Sequence, residues 1–569
     1  MFFRQKKSGA RTYLQIVENR WESGESRQRV VCTLGQLDEL KASGQLDRLI
    51  ASGAKFSESM MVIEAHGNGE APVIAVRRIG PGLIFERLWR DTGLKDVIDS
   101  LVSGRHFGFP VERAVFLTVL NRLFVSGSDR FCAKWMGDYA IGAVQELDLH
   151  HLYRAMAWLG EELSKEDQGA RTFSPRCVKD VIEEELFFRS RNLFSNLDLV
   201  FFDTTSIYFE GEGGETLGKR GHTKDHRPDL KQMIVGAVID GEGRPICCEL
   251  WPGNTADVKT LVPVVDRLRK RFSLGSVCVV ADRGMISQDT IKELESRGLP
   301  YILGARMRAQ KEVTQEVLSR AGRYKIVDTS RSSLKVKEVL VEGRRYVVCV
   351  NEDQARKDAA DRQAIIAALQ DKLKQGDKSL VGNKGYRKYL GTTGRNFHID
   401  EEKVKAESRF DGKWVLRTNT SVSAVEVAQK YKQLWMVEQL FRSSKSLLST
   451  RPVFHKYDRT IRGHVFCSFL ALVVRKALQD RLEAKGYSFE WADILLDLNA
   501  LTEVEVAHGP KRFLLRSHQR HMHRSFPLRR RGASANGTPT QLWVTTRFPR
   551  TPKKNPGATE FFCPDNMLI

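Results

Sequence analysis

Two apolar runs, each closed by an aspartate, restrict this chain more than any other feature. Leu199-Val-Phe-Phe-Asp203 and Val277-Cys-Val-Val-Ala-Asp282 are short, rich in β-branched and aromatic residues, and apolar at every position before the acid. Such a run, apolar on both faces, predicts a strand in a covered sheet. Its carboxylate then stands at the polar end of the strand, where a sheet can aim two of them at one point. A third acid, Glu438, lies within helical periodicity running from Ala424 to Leu448. A helix crossing the sheet would bring Glu438 to the same point and complete an oxygen cage for divalent metal. Taken singly, an Asp at a strand end is a turn or cap residue. The small residues Thr204-Thr205-Ser206 after Asp203, and Gly284 after Asp282, favour the other reading, because they leave room for a ligand and for close backbone approach.

A chain of 569 residues is long enough for several domains, each with its own core. Hydrophobic and charged fractions of 41% and 28% are ordinary for a globular protein. The formal charge of +21 is not, and such an excess of Lys and Arg serves phosphate, in nucleic acid or on an anionic membrane surface. The sequence argues against the membrane. Its longest apolar run, Val465–Val474, is half a spanning helix and stops at Arg475, and Met1-Phe-Phe-Arg-Gln-Lys-Lys lacks a secretory apolar stretch. Nine cysteines without a Cys-x-x-Cys pair read as reduced thiols of a cytoplasmic protein with no structural zinc.

The patterning predicts six segments. Residues 1–82 carry a small β-hairpin over 11–35, turning at Glu22-Ser-Gly-Glu-Ser26, followed by a linker. Residues 83–195 have helical spacing throughout and several basic faces. From 196 to 306 strands at 198–204, 231–240, 244–250 and 276–282 precede helix–strand units. The first three are joined too closely for crossovers and form an antiparallel meander. Residues 307–410 interrupt this scheme as a largely β insertion, with strands at 322–328, 334–341 and 345–351. A charged helix over 352–375 and a basic stretch with Lys384, Tyr386, Arg387, Lys388 and Tyr389 complete it. The α/β pattern resumes at Trp414-Val-Leu-Arg417, and 411–515 holds Glu438. Residues 516–569 carry ten Lys or Arg against Glu560 and Asp565, with recurring prolines and no apolar period. They read as a disordered basic tail, or as an end translated out of its ancestral frame.

Within the Glu438 segment, seven residues turn a helix nearly twice, so Tyr431, Glu438 and Lys445 fall on one stripe with Arg442 a turn beyond. A solvated Glu–Arg pair at i,i+4 accounts for Glu438 and Arg442, at a few tenths of a kcal/mol, but not for the other two. Asp203 and Asp282 are 79 residues apart, and Asp282 and Glu438 are 156, or 52 once the 104 residues of 307–410 are set aside. In this order and spacing the chain resembles a bacterial insertion-sequence transposase of the DDE type, of the branch with a β-rich insertion and a Y-(2)-R-(3)-E-(6)-K signature. Tyr431-Lys-Gln-Leu434-Trp-Met-Val-Glu438 and Lys445 match that signature except at Leu434, where Arg is expected. Lys224-Asp-His-Arg-Pro-Asp-Leu-Lys231, Gly253-Asn-Thr-Ala-Asp257 and Ile461-Arg-Gly-His464 are similar to the same group.

The resemblance implies a ribonuclease-H-like catalytic core, an α+β or α/β fold with a mixed sheet. It also implies an α-helical amino-terminal DNA-binding region over 83–195 and metal-dependent cleavage and strand transfer at insertion-sequence ends. Asp203, Asp282 and Glu438 would be catalytic and would hold two Mg²⁺ ions, with Mn²⁺ able to substitute. Tyr431, Arg442 and Lys445 would bind DNA phosphates near the cleaved end, Arg442 standing in for the missing Arg. Trp435 is expected in the core rather than stacked on a displaced base. The partners implied are the terminal inverted repeats, target DNA and a second copy of the chain in the synaptic complex. A decayed transposase that binds DNA without cutting is the rival reading, and a glycosidase needs neither the positive charge nor the Tyr-Glu-Lys stripe. His222 and His226, in a basic loop without cysteine partners, read as DNA-backbone contacts or a solvated loop rather than zinc ligands. Gly211-Glu-Gly-Gly214 lacks the Lys-Ser/Thr of a nucleotide loop.

Overall fold

A computed structural model of the chain describes residues 1–22, 25–54, 65, 68–69, 72–168, 174–190, 198–275, 277–327, 334–374, 388–393, 396–508, 511–517 and 542–547. They form two compact units. One draws on Met1–Leu83, Gly137–Ile141 and Phe489–Leu568, the other on Ile84–Met136 and Gly142–Ser488.

In the first unit, Arg11–Glu22 and Glu25–Gln36 pair antiparallel where alternation predicts a hairpin. A third strand, Phe2–Ser8, adds to the Arg11–Glu22 edge. Almost all of it is exposed, so it carries no burial period to read. A second sheet runs in the order Val73–Arg78, Thr502–His508, Lys511–Ser517, Leu542–Arg547, antiparallel throughout. Val506, Phe513 and Leu515 form its buried face. Two expectations change here. Strands within 502–515 belong to the amino-terminal unit rather than to the Glu438 segment, and Leu542–Arg547, inside the segment expected to be disordered, is a strand. Both follow from pairing between distant parts of the chain, which no local pattern reports. The remainder of 516–569 lies outside the described residues.

The second unit is built on a mixed nine-stranded sheet. Its order is Lys325–Val327, Leu334–Val341, Arg344–Asn351, Lys413–Thr418, Tyr301–Gly304, Cys278–Ala281, Leu199–Tyr208, Gln232–Asp240, Pro245–Pro252. Cys278–Ala281 is parallel to both neighbours, and every other pair is antiparallel. The short connections after Leu199–Tyr208 and Gln232–Asp240 produce the predicted meander. Helix Leu261–Arg271 then returns the chain from the sheet edge to its middle, and helix Gln288–Ser296 makes the crossover to Tyr301–Gly304. Phe202, Val238, Trp251, Val264, Leu268, Val279, Ile291 and Leu303 close one buried core around these elements.

The interruption over 307–410 is not a separate β subdomain. Its strands at 325–327, 334–341 and 344–351 lie close to their predicted positions, but they extend the same sheet through Lys413–Thr418. Val339, Val341, Tyr346, Val348, Phe410 and Val415 share one core, which joins the insertion to the strand that resumes the main fold. Helix Glu352–Lys374 follows, and the basic stretch at 375–387, with Lys384, Tyr386 and Arg387, lies outside the described residues.

The helices between 84 and 190 likewise belong to this second unit. Val111–Phe124 is buried on nearly every side, and it packs with Leu149–Leu159 against Asp458–Ala484. At the crossing a Cβ on Gly463 would overlap the backbone of Met156, so the two helices touch main chain to main chain. The apolar run Val465–Val474 is the buried middle of Asp458–Ala484. Among the described residues no helix is long and apolar enough to cross a membrane. The eight described cysteines are unpaired, and Cys563 lies outside the described residues.

Candidate active site

The sheet brings the first two acids together. Phe202 pairs with Ala281 in parallel register, so the residues that follow, Asp203 within its strand and Asp282 just past the end of Cys278–Ala281, stand side by side. The Asp203 carboxyl is pushed up to about 6, above all by burial. The Lys224 ammonium and the Thr204 N–H, which donates to Asp203 Oδ1 at 2.7 Å, pull it down, and the carboxylates of Asp282 and Asp257 raise it further.

Two short charged motifs of the sequence meet beside Asp203. Lys224 Nζ donates to the Thr204 carbonyl at 2.6 Å and to Thr204 Oγ1 at 3.0 Å, and lies 3.3 Å from Asp257. Thr204 Oγ1 donates to Asp257 Oδ1 at 2.8 Å, and Ser206 Oγ accepts from the Lys224 N–H at 2.8 Å. The 224–231 and 253–257 motifs therefore order the strand on which Asp203 sits. Sequence reading identified the motifs but not Lys224 and Asp257 as its neighbours, since nothing local pairs residues that far apart.

The Glu438 segment is not one helix. It divides into Ala424–Lys432, capped by Ser423 and Glu426 in a capping box, and Trp435–Arg442, followed by a π-turn over Ser443–Leu447. Bonds from Leu434 N–H to Tyr431 O, Met436 N–H to Gln433 O and Val437 N–H to Leu434 O tighten the junction to i→i+3 spacing. Tightening at one end and widening at the other break the seven-residue stripe. Tyr431 and Glu438 still line one cleft, whereas Lys445 is turned away to Asp225. Tyr431 Oη donates to Asp282 Oδ1 at 2.8 Å, and burial followed by the Asp282 charge raises the Tyr431 phenol well above its usual value. Lys445 Nζ donates to Asp225 Oδ1 at 2.8 Å. Glu438 is exposed, as is Arg442.

Asp282, Tyr431, Leu434, Trp435 and Glu438 line one cleft of about 730 Å³, together with Gln354, Asp358 and Arg362 of the insertion helix and with Tyr389, Phe410 and Trp414. Asp203 lies outside that lining. Leu434, at the position where the signature has Arg, is buried. Trp435, expected in the core, is 54% exposed at the cleft, because the junction turns its helix so that Val437 and Phe441 face inward instead.

Asp203, Asp282 and Glu438 do not all lie within 4.8 Å of one another, so they form no one-ion cage here. Two clusters among the described residues meet that spacing, Asp129–His455–His464 and Asp148–His150–His151, and neither includes His222 or His226. In the first, Arg122 Nη2 sits 3.0 Å from His464 Nδ1 and takes that lone pair, leaving the His464 Nε2–H to donate to the Thr450 carbonyl at 3.1 Å. Burial drives His464 well below its usual pKa and keeps it neutral. The 211–214 glycine loop is followed by backbone N–H groups of Glu215 and Thr216 that donate to the Asp458 carboxylate at 2.9 and 3.0 Å.

Comparison with known proteins gives a consistent family. A family model described as a transposase DDE domain matches residues 195–474, and a model of the IS1634 family transposase N-terminal domain matches residues 3–65. No curated protein matches the chain. Among solved structures, a piggyBac transposase synaptic complex with hairpin DNA is 10% identical over 74% of this chain and 79% of that one, with a TM-score of 0.36. A Mos1 transposase paired-end complex with left transposon end is 13% identical over 35% of this chain and 60% of that one, with a TM-score of 0.14. The two family models together span more than half of the sequence, and by them the chain belongs to the insertion-sequence DDE transposases, DNA-cleaving and strand-transferring enzymes.

Proposed function

We propose that Asp203, Asp282 and Glu438 are the catalytic carboxylates of this transposase, acting at the end of a ribonuclease-H-like sheet on the terminal inverted repeats of its insertion sequence and on target DNA. The observation that carries the reading is the register of the two central strands, which puts Asp203 beside Asp282, together with the bond from Tyr431 that ties the Glu438 segment to Asp282. The strand order from Pro245–Pro252 through Tyr301–Gly304, with a meander on one side and parallel strands on the other, supports the ribonuclease-H-like assignment.

The donor set fits hard divalent cations. It consists of carboxylate oxygens, and burial above all, with the nearby Asp282 and Asp257 carboxylates adding to it, raises the Asp203 carboxyl, so a cation beside it would relieve that cost. Asp203, Asp282 and Glu438 would hold two Mg²⁺ ions, or Mn²⁺ in their place, and two ions do not require all three acids within reach of a single one. Bound there, the ions supply Lewis-acid activation of the attacking oxygen and neutralise charge at the leaving oxygen. The protein's own part is orientation. Tyr431 fixes the Asp282 carboxylate, Lys224 and Asp257 fix the strand at Thr204, and Lys445 offers positive charge for the DNA backbone, while exposed Arg442 is free to reach it too. The helical segment and the amino-terminal sheets would grip the ends, and two copies would pair them in synapsis.

The test is incubation of end-labelled DNA carrying the inverted repeats that flank the reading frame with the protein and Mg²⁺. Nicking at the repeat boundary to leave a 3′-hydroxyl is the expected result. Binding by folded protein without nicking would overturn the catalytic reading and return the decayed-transposase one. A stability measurement checks Asp203 separately. Its folded pKa lies above its ordinary value of 3.8, so the metal-free protein loses stability as pH rises from about 4 through about 6. Asp203→Asn removes that loss and is expected to raise metal-free stability at pH 8 by up to about 3 kcal/mol, at roughly 1.4 kcal/mol per pKa unit. Mg²⁺ should raise the melting temperature of the wild type and not of Asp203→Asn.

A further inference from the structure

Two cations converge on one buried carboxylate at the edge of the acidic centre. Lys445 Nζ donates to Asp225 Oδ1 at 2.8 Å, and Arg451 Nη1 lies against the same oxygen. The Asp225 side chain is 5% exposed, that of Lys445 12% and that of Arg451 29%. The second carboxylate oxygen of Asp225 is buried without a hydrogen-bond partner. Two positive charges against one negative leave a single positive charge uncompensated, in a setting where bulk salt screens it less than at an open surface. One phosphodiester carries the single negative charge that would balance it.

The arginine is held from several sides. Its guanidinium lies over the Tyr208 ring, 5.6 Å from the centroid. The residue before it, Thr450, donates to the Ser444 carbonyl at 2.8 Å, is 2.9 Å from Ser468 Oγ, and accepts from His464 through its own carbonyl. The Ile461-Arg-Gly-His464 motif thus fixes the backbone at Arg451. On the other side, Lys224, next to Asp225, is bonded to Thr204, the residue after Asp203. The three-charge cluster therefore borders the strand that carries the first acid.

We propose that Lys445 and Arg451, oriented by Asp225, form a single-phosphate site for the DNA strand passing the acidic centre. Arg451 is then a DNA contact outside the Tyr-Glu-Lys signature, and Asp225 a positioning residue. The proposal rests on the assignment of Asp203, Asp282 and Glu438 as the catalytic centre. A guanidinium can give one N–H to Asp225 and others to phosphate, and an ammonium with three donors can divide them in the same way. Asp225 keeps the two like charges ordered before DNA arrives and sets their sum at +1.

The experiment measures dissociation constants of the full-length protein for a fixed-sequence DNA duplex across a salt series, with cleavage of transposon-end DNA followed in parallel. Loss of one phosphate contact lowers the slope of log K against log salt by about 0.7–0.9. Arg451→Ala is expected to show that fall and to bind roughly tenfold more weakly at low salt. Arg451→Gln, close in size but uncharged, should match it, which separates charge from packing, and Arg451→Lys should restore the slope. Asp225→Asn keeps both cations, so its slope is expected to hold or rise while its cleavage slows. A wild-type slope in both Arg451→Ala and Arg451→Gln would overturn the phosphate site, and cleavage by Asp225→Asn at or above the wild-type rate would overturn the positioning role. Failure of the wild type itself to cleave any end would strike the catalytic assignment instead, and leave the salt slopes to judge Arg451.

Discussion

Glu438→Gln is expected to bind transposon-end DNA as tightly as the wild type and to cleave it roughly a thousandfold more slowly, the scale on which losing one stabilising group of a charged transition state is felt. The exposed side chain of Glu438 faces the cleft that it shares with Asp282, and it makes no packing contribution that an amide of the same shape would lose. The helix that carries it is held by Val437 and Phe441, which the substitution leaves untouched. What changes is one negative charge and one hard oxygen donor. Gel-shift titration without divalent metal and nicking of an end-labelled duplex with Mg²⁺ read the two properties apart. Cleavage within about tenfold of the wild type would remove Glu438 from the centre.

Gly304→Ala is expected to cost roughly a hundredfold in cleavage, the scale of a displacement of about 1 Å near reacting groups. Gly304 ends the strand beside Cys278–Ala281, and a Cβ there would overlap the Tyr431 hydroxyl and come within 3.1 Å of the Arg283 backbone nitrogen. Tyr431 would be driven off Asp282, and the carboxylate would lose the donor that orients it. Tyr431→Phe keeps the ring and loses only that bond, so a loss of about tenfold is expected, about 1.4 kcal/mol for a hydrogen bond to a charged group. The double variant decides between a local wedge and general damage. Without the hydroxyl the overlapping atom is gone and contacts of 3.1 Å to the Arg283 nitrogen and 3.2 Å to the ring carbon remain, so Gly304→Ala with Tyr431→Phe should recover most of the way to the level of Tyr431→Phe alone. A double variant as slow as Gly304→Ala would show that the glycine matters for some other reason.

Much of the central sheet was legible from local pattern. The apolar runs before Asp203 and Asp282 and the strands at 334–341 and 344–351 lie where their apolar patterns predict them, because a strand buried along its length records that burial in its own residues. The edge strand Phe2–Ser8, exposed along almost its whole length, is held by backbone pairing and left no such record.

The site divides in the same way. That Asp203 and Asp282 follow the apolar runs of two strands could be argued from sequence alone, but not that the first strand continues through its charge to Tyr208, where pairing with Gln232–Asp240 carries it past the acid. That Lys445 parts from Tyr431 and Glu438 could not, because a helical period assumes an unbroken helix, and here i→i+3 bonds and a π-turn change the rotation along the segment. Trp435 shows the same limit, because an aromatic side chain reads as core until the partner that would cover it proves to be a cleft. By itself the sequence determined most of the buried strands and which acids follow the apolar runs of two neighbouring strands. Only the tertiary structure decided that the insertion continues the sheet, that 542–547 pairs with 511–517, and that Asp225 gathers Lys445 and Arg451. Each of these is a contact between residues far apart in the chain, whose energy depends on what the fold brings near and not on the residues' immediate neighbours.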